Sequence, residues 1–234
     1  MKCAVIELPD VTIHLVRHGR VENPTGVIYG RLPGFHLSEL GRRQAEEAAE
    51  YLAGADVTLV VASPLERAQE TARAIAARHS LEVETDERLH ESHTTLEGVG
   101  RSVAAVVRSP VNWWRVRNPL KPSWGESFSD IRTRMLEAIV DAARRGAGRE
   151  VVLVSHQTPV QVARLALLGR RRPPWLGFVP CSTGSVSSFV VKGSKVVEAR
   201  YFSPSSAEPS LGGSTVSSSG EEQTGQTGVS DSSM

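Results

Sequence analysis

The chain has 234 residues, 40% of them hydrophobic, enough for one good-sized core. With 27 basic against 26 acidic residues and no long Lys/Arg run, it lacks the footprint of a nucleic-acid binder, and no apolar stretch approaches the length of a membrane span. Two distant cysteines, Cys3 and Cys181, make no disulfide framework; with no visible signal peptide (the apolar start "AVIELPDV" is broken by Glu7 and Asp10), the sequence reads as cytoplasmic.

The first predicted element is a buried strand, "VTIHLV" at 11–16, which breaks off at Arg17, His18 and Gly19. Residues 38–53 read as a helix, with Ala45, Ala48, Ala49 and Leu52 at helical spacing and Gly54 as the stop. "DVTLVVA" (56–62) is a second strand. "SPLE" follows with the signature of a capping box: Ser63 as N-cap, Pro64 at the first helical position and Glu66 closing the box, before a helix carrying Ala68, Thr71, Ala72 and Ile75. "LEVET" (81–85) alternates as a short strand does.

Residues 92–125 are irregular. They read as a lid insertion, with Trp113, Trp114 and Trp124 packing it and Arg115, Arg117 and Lys121 at its rim. A helix is expected over 127–145 on the stripe Phe128, Ile131, Met135 and Ile139, ending in Arg144, Arg145 and Gly146 as the helix dipole and a C-cap favour. "EVVLVS" (150–155) is another buried strand. The next helix is expected from about Pro159 to Leu168, with Thr158 as its cap and Gly169 as its stop. "SVSSFVV" and "KVVEARYF" form a hairpin around Lys192 to Ser194.

From Ser203 to Met234 there are eleven Ser, no aromatic residue and no Lys or Arg, a composition that predicts a disordered tail. The tail holds four acids, Glu208, Glu221, Glu222 and Asp231, so the body, 1–202, has 27 basic residues against 22 acidic ones. That mild positive balance suits a small anionic ligand. Strands alternating with helices predict a three-layer α/β/α fold with a mainly parallel central sheet and a small lid insertion.

In such sheets ligands bind beyond the carboxyl ends of the strands. Arg17 and His18 follow the first strand. Ser63 and Arg67 follow the second, and Ser155 and His156 end the strand at 150–155. If these strands are parallel neighbours, two guanidiniums and two imidazoles share one cleft beside helix N-termini. Such a cluster repels itself unless an anion fills it, and phosphate suits the paired donors of Arg.

Four motifs in this order, "LVRHG", "SPLERAQETA", "LHES" and "VSHQTP", resemble those of the histidine phosphatase superfamily, also called the phosphoglycerate mutase-like family. The resemblance runs from about Thr12 to Phe202, and "YGRLPGFHLSELGRRQAEEAAEYL" is similar to the family's connection after its first motif. It implies that His18 is the nucleophile and carries a phosphohistidine intermediate, while Arg17, Arg67 and His156 bind the phosphoryl oxygens. Glu91 matches the family's general acid, with Glu97 in reserve. The resemblance implies no metal and no cofactor. His90, Glu91 and His93 also invite a zinc reading, but their spacing is not the two-histidine helical motif.

The chain departs from the family pattern at Arg20, Gln157 and Thr158, and in "SHTTLEG" after the acid. Asn23 lies one residue off a phosphate-contacting asparagine of the mutases. The implied function is a phosphomonoesterase for a small phosphorylated substrate, without nucleic-acid or membrane partners. The alternatives are a mutase, disfavoured because the segment from Glu91 to His156 is shorter than the mutase insert, and a non-catalytic phospho-ligand sensor.

Overall fold

Four β-branched runs and a hairpin assemble one six-stranded sheet. The computed structural model describes residues 8–100, 125–146, 148–170 and 179–206. The elements run β1 (Val11–Arg17), α1 (Glu39–Leu52), β2 (Val57–Ala62), α2 (Glu66–Arg78), β3 (Val83–Thr85), α3 (Phe128–Arg145), β4 (Glu150–Ser155), α4 (Gln157–Leu167), β5 (Val186–Lys192) and β6 (Lys195–Phe202), with a 3₁₀ turn at Glu87–Leu89. The strand order is β3-β2-β4-β1-β5-β6. β3, β2, β4 and β1 pair in parallel, and β5 and β6 add antiparallel pairings at one side. The β5–β6 hairpin turns at Gly193 and Ser194, both with positive φ, the conformation whose twist matches the strands it joins.

Period-two alternation sends successive strand residues to opposite faces. Ile13, Leu15, Val61, Val151 and Leu153 pack under α3 and α4. Val16, Val60, Ala62, Val152 and Val154 pack under α1 and α2. This gives the three layers. Ala48 and Ala49 of α1 and Ala68, Ala72 and Ala76 of α2 are buried, and such small side chains let both helices lie close to the sheet. On the other face Ile131, Met135 and Ile139 of α3 are buried, and truncating any one to Ala costs about 2–5 kcal/mol.

Two helix starts differ from the sequence reading. α2 begins at Glu66, not at Pro64, because Leu65 is still extended (φ −70°, ψ 138°) and occupies the cap position. Ser63 is therefore not the N-cap, and Glu66 closes no capping box. α4 begins at Gln157, two residues before Pro159, with His156 at the cap position and Thr158 inside the first turn. Pro159 lies in the first turn of α4, where the N–H groups lack intrahelical partners, whereas Pro64 precedes the cap of α2 and stays outside the helix.

The described chain also continues past the expected boundary at 202. Ser205 donates from its backbone N and its Oγ to Glu47 Oε2, at 2.6 and 2.9 Å, and Ser206 Oγ donates to Glu47 Oε1 at 2.5 Å. The segment 203–206 thus docks on α1. The rest of the expected tail, and Trp113, Trp114 and Trp124 of the expected lid, lie outside the described residues. Among the described residues no helix is long and apolar enough to cross a membrane.

Candidate active site

The parallel register sets the carboxyl ends of three strands level. Arg17 pairs with Ser155 across β1 and β4, and Ala62 pairs with Val154 across β2 and β4. The next backbone groups continue the match, as His18 N donates to Ser155 O at 3.1 Å and Ser63 N to Val154 O at 3.0 Å. His18, Ser63 and His156 therefore emerge side by side. Arg67 comes from the first turn of α2 and Glu91 from the loop after the 3₁₀ turn. The fold brings Arg17, His18, Arg67, Glu91 and His156 to one sheet edge.

His18 is buried, and its Nδ1 lies 2.7 Å from the carbonyl oxygen of Gly19. A carbonyl can only accept, so Nδ1 carries the proton and Nε2 keeps its lone pair. Burial lowers the His18 pKa well below the usual histidine value, and the charges of Arg67 and Arg17 lower it further. The imidazole is neutral and nucleophilic at neutral pH.

His156 Nε2 lies 2.8 Å from Ser63 Oγ. That hydroxyl also accepts the backbone N–H of Leu65 at 3.4 Å, and when it gives its own proton to Nε2 the His156 proton stands on Nδ1. Nδ1 is buried and has no partner among the described residues. Burial, then the nearby His18 and Arg67, holds its pKa well below the ordinary value. The structure thus answers for Ser63, which the sequence assigned to a helix cap: it is the hydrogen-bond partner of the buried His156.

Arg67 is fully buried. Its Nη2 donates to Gly30 O at 2.6 Å and its guanidinium lies 4.9 Å from the centre of the Tyr29 ring, yet Nε and Nη1 have no partner among the described residues. Arg17 Nη1 donates to Cys181 O at 2.5 Å, while its buried Nε is unpaired. A native fold rarely leaves one buried donor unsatisfied. Among the described residues, four nitrogens without a partner, Arg17 Nε, Arg67 Nε and Nη1, and His156 Nδ1, belong to residues that gather around His18. Their chemistry fits a tetrahedral oxyanion.

Glu91 is partly exposed as a residue, but desolvation of its carboxyl pushes its pKa up. The N–H and hydroxyl of Ser92, with Arg17 and Arg67, pull against that rise. Ser92 holds Oε1, with its N at 2.7 Å and its Oγ at 3.1 Å. Oε2 is the oxygen able to carry a proton. Glu97, the reserve acid, instead accepts the backbone N–H of Arg31 at 2.8 Å and ties down the 28–31 loop. His90 pairs with Glu87.

A sequence model of the histidine phosphatase superfamily (branch 1) matches residues 13–203. The chain belongs to that superfamily. An uncharacterised protein of Mycobacterium tuberculosis, Rv0525, is 51% identical over 200 residues, covering 84% of this chain and 98% of the relative. The glucosyl-3-phosphoglycerate phosphatase of Mycolicibacterium vanbaalenii is 35% identical over 171 residues, 69% of this chain and 76% of that protein. Among solved structures, a mycobacterial glucosyl-3-phosphoglycerate phosphatase in complex with inorganic phosphate superimposes with a TM-score of 0.63 at 27% identity, over 82% of this chain and 95% of that one.

Among the residues that depart from the superfamily's pattern, Asn23 and Thr158 serve local structure. Asn23 closes its own turn, donating to Val27 O and accepting from Val27 N. Gln157 is exposed and Thr158 lies within α4. Gly19 has a reason beyond the turn read from sequence: a Cβ there would overlap the carbonyl of Gly41, and one at Gly41 would overlap that of Arg20. The two glycines let the start of α1 press against the His18 loop. Sequence reasoning missed Ser63, Gly30, Tyr29 and the Cys181 carbonyl as supports of the site. Only the "YG" at 29–30, inside the quoted connection, could have signalled two of them.

Proposed function

We propose that this chain is a phosphomonoesterase that acts through a phosphohistidine on a small phosphorylated metabolite. The observation that carries the reading is the set of four unpartnered buried donors on residues gathered around the neutral, nucleophilic His18. Nε2 of His18 attacks phosphorus in line with the leaving oxygen, and the P–O bond to that oxygen breaks as the P–N bond forms. Arg17, Arg67 and His156 hold the three non-bridging oxygens and the charge on them. The fixed positive charge of the two guanidiniums does what a metal does in other phosphoryl-transfer sites, so the reaction needs none. Glu91 gives its proton to the leaving alkoxide. Water, deprotonated by the same carboxylate, then attacks the phosphohistidine and releases phosphate.

Relatives named phosphatases are 35% and 34% identical to this chain and one named a phosphoglycerate mutase is 32% identical; hydrolysis is preferred because the segment from Glu91 to His156 is shorter than the mutase insert. Retention of a buried neutral nucleophile argues against a sensor, which has no use for one.

The test is phosphate release from an aryl phosphate in the presence of chelator, comparing the native chain with His18→Ala, together with trapping of acid-labile, base-stable phosphoprotein. Turnover that survives chelator, vanishes in the variant and passes through trapped phosphohistidine is expected. Undiminished turnover by His18→Ala would refute the mechanism. Trapped phosphohistidine that transfers to an acceptor hydroxyl but not to water would establish the mutase alternative.

A further inference from the structure

Glu91 sits in a loop, and a general acid on a loop works only if the backbone beneath it is held. The carbonyls of residues 88 to 91 are all engaged. Arg134 Nη1 donates to Arg88 O at 2.5 Å and to His90 O at 2.8 Å. Ser155 Oγ donates to Leu89 O at 2.6 Å. Arg31 Nε donates to Glu91 O at 2.7 Å. Two of these donors are guanidiniums from distant parts of the chain, one in the loop after β1 and one in α3. A single carboxylate joins them. Glu126 accepts from Arg134 through Nε at 2.7 Å and Nη2 at 3.0 Å, and from Arg31 Nη2 at 3.1 Å. Its own backbone N–H reaches past the acid to His93 O at 3.0 Å.

We propose that Glu126 is a positioning residue for the proton donor: it locks Arg31 and Arg134 into a clamp on the 88–91 backbone and so aims the Glu91 carboxyl at the leaving oxygen. The inference rests on the reading of Glu91 as the acid. Its chemistry is specific. The Glu126 carboxylate offers four lone-pair sites to two guanidinium forks, in a site where Glu126 and Arg134 side chains are each only 15% exposed. A glutamine there accepts with one oxygen only and turns its amide hydrogens either toward Arg134 Nε or toward the Nη2 groups of both arginines.

A merely structural role would slow all substrates alike. A role in aiming the acid slows only those whose leaving group needs a proton. Glu126→Gln and Glu126→Ala are therefore compared with the native chain by kcat/KM on phenyl phosphate, a poor leaving group, and on 4-nitrophenyl phosphate, a good one. For phenyl phosphate a loss of roughly 10- to 100-fold is expected, the scale set by a displaced proton donor, with little change for the nitrophenyl ester. Equal losses on both esters, or none on either, would overturn the proposal. Arg31→Lys keeps the charge but gives up the fork. It is expected to show the same selective loss, and it decides the question if neither Glu126 variant folds. Glu91→Gln is measured in parallel. If it shows no leaving-group selectivity, the acid assignment fails; if it does and the clamp variants do not, the clamp alone fails.

Discussion

The rings of His18 and His156 meet edge to face, their centroids 5.0 Å apart and their planes inclined at 61°. Two imidazoles this close, buried beside Arg67, cannot both be charged, and burial already favours the neutral form of each. Their hydrogen bonds then divide the labour. Gly19 O fixes the proton of His18 on Nδ1 and frees Nε2 as a nucleophile, whereas Ser63 Oγ engages Nε2 of His156 and leaves its buried Nδ1 open to an anion.

That division makes Ser63 testable. Ser63→Ala leaves Nε2 of His156 buried without its donor, and the proton shifts to it from Nδ1. A fall in kcat/KM of roughly tenfold or more is expected, from loss of one oxyanion contact, with recovery in Ser63→Thr. Nitrogen-15 NMR of the imidazoles reads the tautomer directly. An unchanged His156 spectrum in Ser63→Ala would show that the hydroxyl does not set it.

The pH dependence of kcat/KM follows from two opposite shifts. His18 attacks only when neutral, and its lowered pKa places the acid limb well below the usual histidine value of 6.5. Glu91 donates only when protonated, and desolvation raises it above the usual 4.5, which carries the alkaline limb upward. After correction for the ester's own ionisation, a bell is expected. Glu91→Gln is expected to lose the alkaline limb and keep the acid one. Persistence of both limbs would assign the alkaline one to another group.

Stability should weaken in mild acid. The folded state binds fewer protons at His18 and His156 than the unfolded chain does, because both pKa values are depressed on folding. Their contribution is complete above the unfolded value of about 6.5 and is lost as pH falls toward the folded values. Thermal midpoints measured between about pH 7.5 and 5.5 should therefore drop, and His18→Asn and His156→Asn should each flatten the slope. Parallel slopes for all three proteins would locate the acid sensitivity elsewhere.

The segment 203–206 makes a distinction between two truncations. Removal of residues after Ser206 should leave the thermal midpoint unchanged. Removal after Phe202 strips half-buried Glu47 of three hydrogen bonds that lower its pKa, and takes away the buried Pro204. A drop of about 2–4 °C or more is expected, with turnover retained. Calorimetry and an aryl phosphate assay on both truncations check this. Loss of turnover in the shorter but folded chain would show that the docked segment serves the site.

Much of this was legible in the linear chain. Apolar runs such as 11–16 and 150–155 are strands because their β-branched residues repay burial on both sheet faces. The breaks after them, at Arg17–His18 and Ser155–His156, announced a polar edge. Helix starts were less legible. Ser63 and Thr158 are sound caps by local chemistry, but the hydroxyl of Ser63 had a stronger claim from His156, 93 residues away, and no local rule contains that partner.

The sequence by itself determined the layers, the strand ends and the kinds of group placed there, because hydrophobic periodicity and short-range turn chemistry are local properties. Tertiary structure alone decided what those groups are. Register set three strand ends level. Burial made two histidines neutral and raised a glutamate. Glu126 drew arginines from two distant segments, residues 31 and 134, onto the backbone of the candidate acid. Each of these depends on desolvation or on a contact between residues far apart in the chain, and neither quantity exists until the chain has folded.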